Sequence, residues 1–290
     1  MTSEPECALA LGAELGEGPI WSARERALWF VDIKKKHIHR FDEATGRLES
    51  WDAPAPPGFV VPLADGKLIA GLKTGLHDFD PAAKTFKLRH TVEPHHSGNR
   101  LNDACVDADG HLWFGSMDDG EEEQNGCLYR LDHDGPCAMD PGYVITNGPA
   151  FSPDGRTLYH TDTLKRVIYA FDHAPGGKLS GKRIFVRIED GAGYPDGPTV
   201  DSEGCVWTGL FGGWRARRYS DRGRLMSEVR FPCANVTKLA FGGADLRTVY
   251  VTTAWKGLSA EERGEQPLAG GLFRFASDVP GLPQYEILHG

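Results

Sequence analysis

Three oxygen-bearing residues occupy the same local phrase at three distant points of the sequence. Glu17, Asn147 and Asp196 each precede a Gly-Pro pair, at Gly18-Pro19, Gly148-Pro149 and Gly197-Pro198. Two carboxylates and an amide carbonyl, with no His or Cys in those phrases, form a donor set for a hard divalent cation such as Ca2+, Mg2+ or Mn2+, completed by water or substrate. Each of the three is, taken alone, also an ordinary turn former. Recurrence at matching points of a repeat is what the turn reading leaves unexplained. Arg100, Asn102 and Asp103 stand at another such point, as does Asn235.

The elements that would bring these residues together are read from that repeat. An apolar segment, an Asp/Gly turn, an aromatic-rich strand, a small-residue bend and a further strand recur from Gly18, Val60, Asn102, Asn147, Pro195 and Asn235. Six copies at a spacing of roughly 40 to 50 residues have the period of propeller blades. Stretches such as His111-Leu-Trp-Phe-Gly and Thr157-Leu-Tyr-His-Thr-Asp alternate with period two, as strands do. Asp65-Gly66, Asp109-Gly110 and Asp154-Gly155 read as hairpin turns, and Ser259-Ala-Glu-Glu262 as a capping box opening one short helix. The segment Glu6 to Leu15 precedes the first full copy and is expected to add an outer strand to the last blade. The expected fold is all-β, a six-bladed β-propeller spanning residues 1–290 as a single domain, with a metal site on its axis. The innermost strand of each blade lines the channel, so polar residues at its start converge on one mouth.

Composition narrows the function classes. Lys+Arg number 32 against Asp+Glu 41, a formal charge of −9, and no basic stripe is present, which argues against nucleic acid and anionic membrane as partners. Gly 36 and Pro 19 make up about a fifth of the chain, against a usual share of roughly 12%, so many tight turns are implied. No apolar run reaches the roughly 18 residues that span a bilayer, and the N-terminus lacks a signal-peptide layout, so a cytoplasmic location is expected. The six cysteines are scattered without zinc or Cys-x-x-Cys spacing and read as reduced, structural thiols. His95-His96 reads as a loop pair in a solvated or substrate-edge role and not as metal ligands, and Trp113 and Trp207 read as blade core.

The segments LGEGPIW (15–21), NRLNDACVDADGHLWFGSM (99–117), TNGPAFSPDGRTLYHTDT (146–163) and YPDGPTVDSEGCVW (194–207) together resemble the regucalcin/gluconolactonase family of six-bladed propeller lactonases. The likeness covers nearly the whole chain, in order, and is nearest to bacterial sugar-acid lactonases such as xylonolactonases. It implies one divalent metal held by Glu17, Asn147 and Asp196, with Ca2+ the first candidate and Zn2+, Mn2+ and Fe2+ the others. It also implies that Arg100 and Asn102 bind the sugar. Family members often hold a substrate hydroxyl with an acidic residue shortly after the Gly-Ser-Met. Glu121 or Glu122 fits that place, although the run Asp118-Asp-Gly-Glu-Glu-Glu123 otherwise reads as a solvated loop.

The reaction implied is opening of a pentono- or hexonolactone by water, with Asp196 as general base as well as ligand. A metal-bound hydroxide, with Asp196 only a ligand, is the open alternative. Two other functions compete: an arylester or organophosphate hydrolase on the same fold, disfavoured by the polarity of Arg100 and Asn102, and a non-enzymatic, calcium-responsive propeller. An interaction platform, however, gives no reason to gather a Glu, an Asn and an Asp at one channel mouth. A monomer acting on a small-molecule sugar lactone is the expectation.

Overall fold

The computed structural model describes residues 4–288; residues 1–3, part of the stretch read above for a targeting signal, and residues 289–290 lie outside them. Among the described residues, 24 strands form six four-stranded sheets with antiparallel neighbours, the six blades of a propeller. Their innermost strands are Gly16–Ser22, Pro57–Pro62, Asn99–Val106, Thr146–Phe151, Tyr194–Val200 and Asn235–Gly242. Each packs beside the innermost strands of both neighbouring blades, which closes the ring around the axis. No helix is long and apolar enough to cross a membrane among the described residues.

The ring is fastened by a strand from the start of the chain. Glu6–Leu9 pairs with Leu272–Ala276 as the outer strand of the sixth blade, as expected, and Arg274 Nε donates to Glu6 Oε1 at 2.6 Å. A second fastening was not anticipated. The C-terminal tail crosses the opposite end of the channel, where Ser202 N–H donates to Pro280 O, Ile287 N–H to Pro62 O, and Leu288 N–H to Gly110 O.

Sequence phrases repeat because the blades solve the same packing problem. Trp113 and Trp207 are fully buried, so each indole N–H needs an internal acceptor. Asp107 Oδ2 accepts from Trp113 at 2.7 Å and Asp201 Oδ2 from Trp207 at 2.9 Å, six residues earlier in both blades. The other oxygen of each carboxylate closes the intervening turn, accepting from His111 N–H and Cys205 N–H. The Asp109-Gly110 turn therefore forms where expected, with Gly110 at φ 83, and Asp107 also accepts the N–H of Asp109. The helix Ala260–Glu265 starts at the Ser259 capping box.

One irregularity is common to all six blades. Each innermost strand slips register once against its neighbour, between Glu17 and Ile20, Pro57 and Phe59, Leu101 and Ala104, Asn147 and Ala150, Pro195 and Pro198, and Val236 and Leu239. A bulge re-aims the side chains beside it. Here six bulges form one layer around the axis.

Candidate functional site

The bulge layer places every residue singled out by its Gly-Pro phrase. Glu17, Asn147 and Asp196 lie on the innermost strands of blades one, four and five, and Arg100 and Asn102 on that of blade three. All five side chains are at most 5% exposed, so each polar group must find its partners within the site. Glycine is required beside them. Gly18 and Gly148 have φ of 56 and 82, and a Cβ on Gly148 would stand 2.7 Å from Pro198 Cδ.

A chain of hydrogen bonds joins the innermost strands of blades three, four and five. Arg100 Nη1 donates to Asn102 Oδ1 at 2.6 Å, and Asn102 Nδ2 donates to Thr146 O at 2.6 Å and Asn147 Oδ1 at 2.8 Å. Asn147 Nδ2 donates to Thr163 Oγ1 at 2.9 Å, and that hydroxyl donates to Pro195 O, one residue before Asp196. Glu17 and Asp196 approach closely enough for one carboxyl to hydrogen-bond the other.

These contacts set the electrostatics. Burial first, then the charges of Asp196 and Asp103, push the Glu17 pKa well above the usual carboxylate range. Burial likewise pushes Asp196 up, against the N–H of Gly197 that its Oδ1 accepts. Two like charges taken out of water favour a shared proton or a cation between them. Asp103 adds a third buried carboxylate, paired with Lys238 from blade six. Three carboxylates against one ammonium leave two uncompensated negative charges on the axis.

A cavity of about 270 Å3 opens on this cluster, with Glu17, Arg100, Asn102, Asn147, Glu121 and Lys256 on its polar side. Leu164, Tyr194 and Phe211 supply an apolar wall. A smaller cavity of about 90 Å3 at the opposite end of the channel is covered by residues 282–285, and Lys238 is its one charged lining residue among the described residues. No group of three or more His, Cys, Asp and Glu side chains is placed to hold a metal among the described residues. A cation at the upper cluster would therefore draw on amide, water or substrate oxygen beside two carboxylates. That set fits the hard-cation chemistry of Glu17, Asp196 and Asn147 Oδ1.

The acidic loop is built into the site and is not simply solvated. Asp118 accepts the N–H groups of Glu122 and Glu123 at 3.0 Å and so shapes the loop. Asp119 Oδ1 accepts from Arg100 Nε at 2.9 Å and Lys34 Nζ at 2.8 Å. Burial raises the Asp119 pKa, but these cations outweigh it and hold the carboxyl below its usual range. Glu121 reaches the cavity and pairs with Lys256, whereas Glu122 is exposed. Lys256 and Lys238 escaped the sequence reading, because a lone lysine in a blade carries no motif. Asn235 clips loops together, accepting from Gly212 N–H and donating to Lys256 O, and does not line the cavity. His95 and His96 are exposed in their loop.

A family model described as the SMP-30/Gluconolactonase/LRE-like region matches residues 15–255. The chain is 32% identical to a 6-deoxy-6-sulfogluconolactonase of Pseudomonas putida over 98% of each chain. It is 37% identical to an L-arabinolactonase of Azospirillum brasilense, covering 89% of this chain and 87% of that one. The structure superposes with a TM-score of 0.93 on a calcium-binding protein, regucalcin, from Agrobacterium tumefaciens, at 25% identity over 100% of this chain and 98% of that one. Fold, site and these likenesses agree: the chain belongs to the SMP-30/gluconolactonase/LRE-like family.

Proposed function

We propose that this protein hydrolyses a sugar lactone to the aldonic acid, working as a monomer with residues 1–290 as one unit, and that it uses one divalent cation held by Glu17, Asn147 and Asp196. The observation that carries this reading is the convergence of Glu17 and Asn147 with Arg100 and Asn102 on a single cavity, with the buried Asp196 carboxyl set against Glu17. The relatives named as lactonases supply the substrate class, and the calcium-binding structural neighbour supports Ca2+ as first candidate, ahead of Zn2+, Mn2+ and Fe2+. When bound, such a cation supplies Lewis-acid stabilisation of the negative charge that develops on the lactone carbonyl oxygen.

The chain's own groups account for the rest. Both hydrogens of Asn102 Nδ2 are engaged, so toward substrate its amide offers only the remaining lone pair of Oδ1, an acceptor for a sugar hydroxyl. Arg100, held by Asp119 and Asn102, is a positively charged donor at the cavity, beside Lys256. Its guanidinium is fixed before substrate arrives, which lowers the entropic cost of orientation. Asp196 is the general base. Burial raises its basicity relative to a solvated carboxylate, so it accepts the proton of the attacking water more readily.

The apolar wall of Leu164, Tyr194 and Phe211 suits a sugar ring face and also admits an aryl ester, the second reading. One experiment separates them. Acid release from pentono- and hexonolactones and from aryl acetates is followed with metal-stripped protein and with each metal restored. Metal-dependent turnover of sugar lactones above aryl esters is the expected result; no metal-dependent turnover of any lactone overturns the reading.

A further inference from the structure

Against the bulge layer lies a buried charge pair that the reaction above does not use. Asp103 and Lys238 are 2% and 6% exposed and come from blades three and six, which face one another across the axis. Lys238 Nζ donates to Asp103 Oδ1 and to Ala104 O, the latter at 3.3 Å. The second oxygen of Asp103 accepts Gly148 N–H at 2.8 Å, beside Asn147. A Cβ on Gly197, beside Asp196, would stand 2.3 Å from that same oxygen and 3.0 Å from Lys238 Cδ. The pair therefore packs against the two bulges that present Asn147 and Asp196. It also stands between the cavities, since Lys238 lines the lower one and the two share no lining residue.

From this placement we infer that Lys238 is a resident cation of the channel, which neutralises Asp103 permanently, restricts the axis to one divalent ion and sets how tightly that ion is held. The inference rests on the metal reading given above. Three buried carboxylates without an ammonium would carry a charge that one divalent ion does not balance; with Lys238 the remaining two charges match a single such ion. Lys238 and Asp103 are thus positioning residues, acting on the metal site through charge.

Isothermal titration of the metal-stripped full chain with CaCl2 and MnCl2 reads stoichiometry and affinity without turnover. The wild-type chain is expected to bind one ion. K238M is expected to bind a second ion or to bind the first at least about tenfold more tightly. D103N/K238M, which leaves no unpaired charge, returns to wild-type behaviour. Should K238M not fold, D103N carries the test: its unopposed ammonium weakens binding by at least about tenfold, whereas a pair that only fills space leaves affinity unchanged. Unchanged stoichiometry and affinity in K238M, or unchanged affinity in D103N, overturns this inference alone. Absence of binding by the wild-type chain overturns the metal reading and this inference with it.

Discussion

Asn102 Nδ2 donates to Asn147 Oδ1 at 2.8 Å across the joint between blades three and four. With Asn147 Nδ2 committed to Thr163, the amide of Asn147 has one allowed orientation, its oxygen turned toward the side of Asn102. A residue implied to bind the sugar therefore also sets the orientation of a residue proposed to bind the metal. Preorganisation of this kind is what separates a donor set from three polar residues that happen to be near.

Replacing Asn102 tests that linkage. Asn102→Leu keeps the branched shape and removes all three hydrogen bonds, leaving Asn147 held only through Thr163 and Thr146 O without the Asn102 donor. Metal affinity is expected to fall roughly tenfold, the scale seen when an outer-shell partner is lost, and kcat/KM by on the order of 10²-fold. Calorimetric titration beside steady-state kinetics measures both. An unchanged metal affinity with a raised KM would confine Asn102 to the substrate.

Glu17→Gln separates stability from function. Without metal, two buried carboxyls oppose one another, and the raised pKa of Glu17 means that the folded state binds a proton which the unfolded state releases near its ordinary value. The stability from that proton is present below the ordinary carboxylate pKa and is lost as pH rises through the folded value. In chelator at pH 8, E17Q is expected to be more stable than wild type by ~1–3 kcal/mol, with a smaller gap at pH 5. Its metal affinity should fall by on the order of 10²-fold. Melting curves with chelator and with CaCl2 decide it: a variant that melts below wild type in chelator contradicts the repulsion argument.

Glu121 and Glu122 are neighbours in a run of like charges, yet only Glu121 lines the cavity. E121Q turns one carboxylate oxygen into an NH2 donor and removes the charge pairing with Lys256, so KM for a sugar lactone should rise roughly tenfold, with a smaller change in kcat. E122Q, exposed, should leave both within experimental error. Steady-state kinetics on the same lactone with both variants provides the comparison. Equal effects would mean that the loop acts through bulk charge and not through one contact.

The architecture was legible because each blade repeats a physical requirement in sequence. A buried indole needs an acceptor and a turn needs a cap, and one Asp six residues before Trp113 and Trp207 meets both needs. The Gly-Pro phrases were legible because backbone at the axis leaves no space for a Cβ, as at Gly148. What escaped was long-range and unrepeated. Lys238 meets Asp103 from 135 positions away, Lys256 meets Glu121 over the same separation, and the tail reaches Pro62 from Ile287. Such contacts leave no local period, and only the closed ring brings their members together.

His160 links burial to acid sensitivity. Its ring packs edge-on at 4.8 Å from Tyr143, and neither ring nitrogen has a partner among the described residues. Burial first, with the charge of Lys182, lowers its pKa to about 3, so the folded protein holds it neutral while the unfolded chain protonates it near 6.5. Stability from a depressed histidine is fully present above that unfolded value and is lost as pH falls toward the folded one, at ~1.4 kcal/mol per pH unit. His39, lowered to about 4 chiefly by burial, adds a second proton to the same slope. His160→Phe retains the ring and removes both nitrogens. It is expected to stabilise the protein at pH 7 by about 1 kcal/mol, and its advantage should widen by ~1.4 kcal/mol for each pH unit between 6 and 4. Urea denaturation of both proteins at pH 7, 6, 5 and 4.5, at ~0.5 to 1 unit spacing, measures the two slopes. Parallel slopes would show that His160 accepts its proton in the folded state, and the acid sensitivity would then have to arise elsewhere in the ring.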